Sequence, residues 1–265
     1  MKFGACGIVS SEGYSLAKEM GFDYFETAVR VYFDMSEEDF QKDLERVKEI
    51  GLPVLCANGL FYGSTLFFGE NATPREQIEE MIDIGFSRIS RLGAKKVVWG
   101  SGASRVAPEG MTEKEIEEGL TYFADLFADY AKKYGMIVVI EPLCRYETNV
   151  FNTVKSSYEF AKKLNRPEMQ VLADSYHMMV ECEKYDTLKN YGDMLTHAHI
   201  AEAAYNRKDI RRTPNFEDEF NVKEFVYELK KAGYDGTLSI EAGLRTGDWK
   251  KDMTDALSAV KEWAK

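Results

Sequence analysis

Charged, amphipathic stretches alternate along the chain with short runs of apolar residues. Each charged stretch ends in glycine or asparagine, and an apolar run follows at once. The copies are "AKEMGFDYFETAV", "VKEIGLPVLCANG", "ISRLGAKKVVWGSG", "AKKYGMIVVIEPL", "AKKLNRPEMQVLADS" and "LKKAGYDGTLSIEA". Amphipathic charged stretches are typical of surface helices, and nearly uninterrupted apolar runs are typical of strands buried on both faces. The pattern therefore predicts alternating helices and strands.

Residues that commonly begin and end helices mark the boundaries of the charged stretches. Ser36 and Thr112 are predicted to open two helices, and the segment from Thr73 to Glu76 combines a capping threonine, a proline and a glutamate that reaches back. Glycine and asparagine tolerate the left-handed backbone that follows a helix. The predicted residues at these helix ends are Gly21, Gly51, Gly93, Gly135, Asn165 and Gly233.

Two further apolar runs, "KFGACGI" and "THAHIAE", bring the strand candidates to eight. Their spacing of roughly 25–45 residues suits strand–helix–strand units. In a chain of 265 residues, this pattern predicts an α/β protein with a closed (β/α)8 barrel that forms one domain over residues 1–265. An open doubly wound sheet is the alternative. The glycine-rich turn of a dinucleotide fold is missing after the first strand, which favours the barrel.

Acidic and histidine side chains stand at the ends of four successive strands. "MIVVI" runs into Glu141, "MQVLA" into Asp174 and "TLSI" into Glu241, while "LTHAHI" carries His197 and His199. In a parallel barrel the carboxyl ends of the strands share one rim, where the reacting groups lie. These side chains are therefore predicted to surround one point.

A divalent cation is the expected centre of this cluster, because three carboxylates would repel one another in a partly dry pocket. His197 and His199 point to the same side of the strand, and His199 is nearer its end, so we assign His199 as the ligand. His197 is expected to pack one layer deeper. Three carboxylates and one imidazole suit Mn²⁺, Mg²⁺ or Co²⁺, with Zn²⁺ as an alternative.

Composition and charge exclude several classes of protein. The net charge of −11 disfavours nucleic acid as a partner, and no stretch is apolar enough over the ~18 residues that a membrane helix requires. The four cysteines include no C-x-x-C pair, which argues against a disulfide scaffold or a thiolate zinc site. The start of the chain is not typical of a secretory signal. We expect a cytoplasmic homo-oligomer, a dimer or tetramer, with a small-molecule substrate.

The motifs at the strand ends resemble those of a known family. "IEPLCRYETNVFNT", "LADSYHM", "HAHIAE" and "SIEA" are similar to the sugar phosphate isomerase/epimerase family of xylose isomerase-like barrels, nearest to the ketose 3-epimerases of the tagatose/psicose type. "GFDYFETAV" resembles the second strand of that family. The resemblance implies Mn²⁺ ligands and substrate contacts at matching positions. The implied ligands are Glu141, Asp174, His199 and Glu241, and the implied substrate contacts are Glu147 and His177.

Two stretches depart from the family pattern. Cys144 stands where an asparagine is usual, and "IAEAAYNRKDIRRTP", the stretch after His199, is longer than the family's short run to an arginine. The arginine that contacts substrate is therefore Arg207, Arg211 or Arg212, and we choose Arg207.

The resemblance also implies a mechanism. A hydroxyketone would bind the metal through its carbonyl and neighbouring hydroxyl, and the metal would stabilise the enediolate formed on proton loss. Glu141 and Glu241 would remove and return the proton on opposite faces of the carbon. His177 and Glu147 would hold hydroxyls of the substrate, although His177 has the alternative role of orienting Asp174.

Three other functions are compatible with parts of this pattern. A lyase, such as a keto-inositol dehydratase, would use the same metal and the same proton abstraction but expel a hydroxyl. An endonuclease of the same superfamily would need several zinc ions, and three histidines with a charge of −11 argue against it. A non-catalytic metal-binding barrel is disfavoured because Glu147 and His177 accompany the ligands.

Two loops complete the set of candidates. Residues 59–69, "GLFYGSTLFFG", are expected to cover the sugar, to form a dimer contact or simply to pack in the core. Residues 100–110 contain Arg105, a weaker candidate for holding a substrate phosphate or carboxylate, since barrel phosphate sites usually follow strands seven and eight.

Overall fold

The computed structural model describes residues 1–7, 11–61, 65–204, 207–217 and 219–265, except the side chains of residues 11, 12, 204 and 207–210. The strands are β1 (Lys2–Cys6), β2 (Tyr24–Ala28), β3 (Val54–Asn58), β4 (Lys96–Trp99), β5 (Ile137–Ile140), β6 (Met169–Asp174), β7 (Leu195–Ile200), β8 (Glu202–Ala204), β9 (Arg207–Arg212) and β10 (Thr237–Ile240). The helices are α1 (Ser11–Met20), α2 (Val29–Phe33), α3 (Glu37–Ile50), α4 (Arg75–Leu92), α5 (Glu113–Tyr134), α6 (Val154–Leu164), α7 (Ser175–Val180), α8 (Val222–Lys231) and α9 (Trp249–Trp263).

Eight strands close into a parallel barrel in the order β1-β10-β7-β6-β5-β4-β3-β2. The ring closes where β1 pairs in parallel with β10, from Lys2 opposite Thr237 to Ala5 opposite Ile240. This closure confirms the predicted (β/α)8 barrel and excludes the open sheet. The sequence pattern did not predict β8 and β9, which pair antiparallel as a separate two-stranded sheet between β7 and α8.

The helix boundaries follow the predicted capping residues with one exception. Thr112 forms a reciprocal capping box with Glu115 at the start of α5, and Ser36 accepts a hydrogen bond from the Asp39 amide at the start of α3. The prediction for Thr73 is wrong: its hydroxyl accepts from the Leu66 amide at 3.0 Å within the preceding loop, and α4 begins after Pro74 without a side-chain cap. All six predicted helix-end residues have positive φ.

The barrel interior divides into an apolar and a polar side. Val98, Val139 and Leu172, on the neighbouring strands β4, β5 and β6, pack against one another inside the barrel. Their sequence neighbours on the same strands face outward into the layer between sheet and helices. On β2 and β7, by contrast, the buried set includes Glu26 and His197. The barrel thus carries its buried polar groups on one side of the interior.

Aromatic side chains fill the layer between the barrel and helix α5. Phe67 stacks on Phe123 with ring centroids 4.4 Å apart, and Trp99 meets Phe127 edge to face at 4.9 Å. Phe61 and Phe67 of the 59–69 loop are therefore part of the core, which supports the packing interpretation for these two residues. Residues 62–64 of that loop lie outside the described residues. No helix in the described part of the chain is long and apolar enough to cross a bilayer.

Replacing Thr112 by alanine should lower the free energy of unfolding by about 1 kcal/mol, because the substitution removes the capping box of α5, a helix of 22 residues. Urea unfolding measures this change. Thr121→Ala, within the same helix, is the matched control and should leave stability unchanged or slightly higher, since alanine favours helix interiors. Equal effects of the two substitutions would contradict the capping role.

Candidate active site

Four strands bring three carboxylates and one imidazole to one rim of the barrel. Glu141 follows β5, Asp174 ends β6, His199 lies in β7 and Glu241 follows β10. These are neighbouring strands in the barrel order. One donor atom from each side chain lies within 4.8 Å of each of the others. The structure therefore gathers all four residues that the sequence singled out as metal ligands.

One nitrogen of His199 faces all three carboxylates. Its Nδ1 lies 3.1 Å from Glu141 Oε1 and 3.0 Å from Glu241 Oε2. Asp174 Oδ2 lies 3.9 Å from the same nitrogen. The imidazole is fully buried, which weakens the screening of this negative charge by water.

Asp174 uses its two oxygens differently. Oδ1 accepts hydrogen bonds from the amides of Tyr176 at 2.7 Å and His177 at 3.1 Å, and thereby caps helix α7. Oδ2 is buried and accepts no hydrogen bond from any described group. A buried carboxylate oxygen without a hydrogen bond is costly unless a cation binds it. Asp174 is thus held by its first oxygen and offers its second to the cluster.

Glu26, which the sequence analysis did not identify, fixes the orientation of His199. Its Oε1 accepts from His199 Nε2 at 2.9 Å, and its Oε2 accepts from His197 Nε2 at 2.8 Å and from the Ser239 hydroxyl at 2.5 Å. With Nε2 donating to Glu26, the other ring nitrogen of His199, Nδ1, is directed at the three carboxylates. The available signal was an acid in the middle of a strand predicted to be buried on both faces.

His197 packs one layer below His199, as expected. Its Nδ1 lies 2.8 Å from Thr237 Oγ1 and 3.0 Å from the Thr237 carbonyl oxygen. Both ring nitrogens therefore have hydrogen-bond partners inside the barrel. His197 supports the same glutamate that orients His199.

Crowding of like charges separates the pKa values of the carboxylates. Burial, together with the charges of Glu141 and Glu241, raises the pKa of Asp174 to about 7. Burial also acts to raise the pKa of Glu241, but His199 and Arg211 lower it to about 2. Glu26, Glu241 and Glu141 together raise the pKa of His199 well above its ordinary value against the effect of burial. The cluster as a whole favours positive charge at its centre.

Arg211 is the arginine whose guanidinium lies at this cluster. Its Nη1 is 2.7 Å from Glu241 Oε2, and its Nη2 is 3.6 Å from Asp174 Oδ2. Arg212 instead pairs with Glu202 and Glu219. The side chain of Arg207, which the sequence analysis preferred, lies outside the described part of the structure.

Glu147, on the loop after β5, and His177, in helix α7, lie beside the cluster. His177 Nδ1 accepts a hydrogen bond from the Cys144 amide at 2.9 Å, so its Nε2 is directed towards Glu147 and Arg211. Burial and the charge of Arg211 lower the pKa of His177, which favours a neutral imidazole. Burial raises the pKa of Glu147. Both are therefore placed to exchange hydrogen bonds with a polar ligand.

Arg105 lies beneath the site rather than in it. Its side chain is fully buried, and the guanidinium donates to the carbonyl oxygens of Trp99, at 2.8 Å, and Glu141. Burial lowers the pKa of Arg105 to about 10. The expectation that Arg105 binds a substrate phosphate or carboxylate is wrong in this geometry, because its guanidinium is buried and joins the ends of β4 and β5 instead of lining the cavity.

A cavity of about 490 Å³ opens above the cluster at the carboxyl ends of the strands. Its polar wall includes Glu141, Glu147, Glu241 and Arg211. Its remaining wall is built largely from glycines and apolar side chains, among them Val98, Phe61 and Leu143. A cavity of this size, with a few convergent polar groups on one wall, suits a small polar ligand.

The donor set fits a divalent cation. Three carboxylates and one imidazole nitrogen provide hard ligands of the kind that Mn²⁺ and Mg²⁺ prefer and Zn²⁺ also accepts. Asp174 Oδ2 has no competing hydrogen bond, and the second nitrogen of His199 is held by Glu26, as is typical of metal-binding histidines. The residues are therefore a possible metal site.

A model of the family described as Xylose isomerase-like TIM barrel matches residues 14–263. The chain belongs to this family. The resemblance inferred from the strand-end motifs is therefore confirmed. The match includes every barrel strand except β1, and all four residues of the cluster.

Two relatives in this family align with almost the whole chain. The 3-dehydro-D-guloside 4-epimerase of Escherichia coli (strain K12) is 26% identical over 258 residues, which cover 93% of this chain and 92% of the relative. The ketose 3-epimerase of Arthrobacter globiformis is 27% identical over 258 residues, which cover 91% of this chain and 83% of the relative. Both relatives are epimerases by name.

Solved structures of other barrels share the fold. The crystal structure of a 3-keto-D-glucoside 4-epimerase from E. coli aligns with a TM-score of 0.81 at 23% identity and covers 99% of each chain. The IOLI protein, whose crystal structure holds a zinc atom, aligns with a TM-score of 0.77 at 18% identity and covers 100% of this chain and 98% of its own. At these identities the likeness shows the fold.

Glu26→Gln should weaken Mn²⁺ binding by about 10–100-fold, the range typical of residues that orient a metal-binding histidine. A glutamine has one acceptor oxygen and cannot accept from both His197 and His199. Isothermal titration with Mn²⁺ measures the affinity. Glu181→Gln, which alters a carboxylate paired with Arg145 away from the cluster, is the control. Unchanged affinity in the Glu26 variant would rule out the orienting role.

Gly100→Ala should weaken Mn²⁺ binding on the order of tenfold, because a Cβ at this position would lie 2.3 Å from Glu141 Oε2 and displace that carboxylate. Stability should change little, since the displaced atom ends a flexible side chain. Metal titration and urea unfolding measure the two effects separately. Ala103→Ser, in the same loop, is the control. A large loss of stability with normal metal affinity would contradict this account.

Proposed function

We propose that the chain is a metal-dependent sugar isomerase or epimerase that acts on a ketose or a related hydroxyketone. The observation that carries the proposal is the convergence of donor atoms from Glu141, Asp174, His199 and Glu241 within 4.8 Å, at the base of an open cavity. Full-length similarity to relatives named as epimerases supports the same reaction class.

The proposed cofactor is one divalent cation held by Glu141, Asp174, His199 and Glu241. We expect Mn²⁺, with Mg²⁺, Co²⁺ or Zn²⁺ as alternatives. When bound, such a cation supplies Lewis acidity that stabilises the negative charge of an enediolate. Glu26 keeps the His199 imidazole turned towards the cation site, and Arg105 holds the backbone of Glu141.

Glu141 and Glu241 are the proposed acid–base pair. They follow β5 and β10, which are separated in the barrel by β6 and β7, so they approach the cavity from different directions. Each directs one oxygen at His199 Nδ1, at 3.1 and 3.0 Å, and the second oxygen of Glu241 accepts a hydrogen bond from Asn58 Nδ2 at 3.1 Å. One glutamate removes the proton beside the carbonyl, and the other returns it to the opposite face.

His177, Glu147 and Arg211 are the proposed substrate-binding residues. The neutral imidazole of His177 and the raised pKa of Glu147 suit hydrogen bonds with hydroxyl groups. The guanidinium carbon of Arg211 lies over the Tyr176 ring, 5.0 Å from its centroid, so the ring supports the guanidinium from one side. Its positive charge also offsets the carboxylates that remain around the substrate.

The proposal is tested by incubating the Mn²⁺-loaded protein with ketoses, ketose phosphates and keto-inositols in deuterated water. NMR should detect deuterium at a carbon beside the carbonyl of at least one compound. Glu141→Gln and Glu241→Gln should each reduce that exchange by about 10²–10⁴-fold at saturating Mn²⁺, because each removes one of the two proton carriers. Glu118→Gln, on the exposed face of α5, should exchange normally.

The product pattern separates the possible reactions. Deuterium incorporation with a change of configuration supports epimerisation, and movement of the carbonyl supports isomerisation. Loss of water from a keto-inositol would identify a dehydratase that uses the same residues. A protein that binds Mn²⁺ but exchanges no proton in any compound would refute the catalytic proposal.

A further inference from the structure

Arg211 reaches the site from outside the barrel sheet. It lies in β9, whose partner is β8, and these two strands form their own antiparallel sheet. A two-stranded sheet is marginally stable in isolation, so other contacts must fix its position. The direction in which Arg211 points therefore depends on what anchors this hairpin.

Backbone contacts join β9 to the loop that follows β10. The Thr213 amide donates to the Gly243 carbonyl oxygen at 2.9 Å, and the Gly243 amide donates to the Arg211 carbonyl oxygen at 3.2 Å. Arg245 Nε donates to the Thr213 carbonyl oxygen at 2.5 Å. The end of β9 is thus tied to the segment that also carries Glu241.

Glu202, in β8, connects these pieces with a single buried carboxylate. It is fully buried and lies directly opposite Arg212 in the hairpin. Its Oε1 accepts from Arg212 Nη2 at 3.2 Å and from the Glu219 amide at 2.9 Å, and its Oε2 accepts from Arg245. One side chain therefore binds β9, the segment before α8 and the loop after β10.

Neighbouring residues of a strand point to opposite faces, and this applies to Arg211 and Arg212. The guanidinium of Arg212 is held on one face by Glu202. That of Arg211 is consequently directed to the other face, where it meets Glu241 at 2.7 Å. A rotation of the strand that released Arg212 would also withdraw Arg211 from the carboxylates.

We propose that Glu202 is a positioning residue, which holds Arg211 in the site by anchoring Arg212 and Arg245 on the opposite face of the hairpin. That Arg211 binds substrate from this position rests on the proposed function. That Glu202 anchors the hairpin does not rest on it. Glu202 is three residues after His199, so the same short segment supplies a cluster residue and the anchor of the arginine beside it.

The anchoring is tested by phenylglyoxal modification of arginines, quantified by mass spectrometry of peptides. The side chain of Arg211 is 21% exposed, so modification should be slow in the parent protein and several-fold faster in Glu202→Gln. Arg105, which is fully buried, should stay unmodified and shows that the fold is intact. Glu219→Gln removes the half-exposed partner of Arg212 and is the matched control, with a rate close to that of the parent.

A double-mutant cycle read by Mn²⁺ titration tests whether Glu202 acts through Arg211. Arg211→Ala should tighten Mn²⁺ binding by up to about fivefold, because the cation no longer competes with Arg211 for Glu241 and Asp174. Glu202→Gln should shift affinity in the same direction by less, and should add nothing once Arg211 is alanine. A merely structural role would give the same shift with or without Arg211.

The outcomes are distinguishable. Equal Arg211 modification in the parent, Glu202→Gln and Glu219→Gln proteins would overturn the positioning role, as would an effect on Mn²⁺ affinity that persists without Arg211. If Glu202→Gln fails to fold, Arg245→Gln takes its place, and unchanged Arg211 modification there overturns the proposal equally. Absence of Mn²⁺ binding in every protein would count against the proposed function, while the modification rates still decide the anchoring.

Discussion

The site depends on electrostatic repulsion that the barrel imposes on its own side chains. Parallel strands deliver Glu141, Asp174 and Glu241 to one rim, where their charges meet around a buried imidazole with little water to screen them. Such an arrangement is stable only with positive charge inside it. Three features meet that requirement. Glu26 holds the His199 imidazole among the carboxylates, Arg211 forms an ion pair with Glu241, and the donor set suits a divalent cation.

The division of the barrel interior into an apolar and a polar side also stabilises the charged cluster. The apolar side, around Val98 and Leu172, supplies packing that does not depend on charge. The polar side holds Glu26 between His197 and His199, and the two histidines lower the pKa of Glu26 although burial opposes this. The anion that orients the cluster is thus stabilised from within the barrel. A fully apolar interior would leave the imidazole of His199 without a fixed direction.

Local rules of sequence predicted the barrel and its rim. The ends of the strands can be predicted because the apolar runs that carry the site stop at polar residues. His197 and His199 are two positions apart, so they point to the same side of the strand, and their order along it predicts which lies deeper. Glu26 was missed because its role appears only when closure of the barrel brings β2 close to β7, two strands that are far apart along the chain. Arg211 could not be separated from Arg207 and Arg212, since the hairpin that decides their directions is held by Glu202 and Gly243, far apart along the chain.

Asp174 has two simultaneous duties, as the cap of α7 through Oδ1 and as a member of the charged cluster through Oδ2. Helix α7 also carries His177, so the position of this one carboxylate fixes both the geometry of the cluster and the position of the His177 ring. Sequence change at the base of the cavity is therefore constrained, because it would also disturb that helix. Diversification is expected to accumulate instead in the glycine-rich walls after β3 and β4.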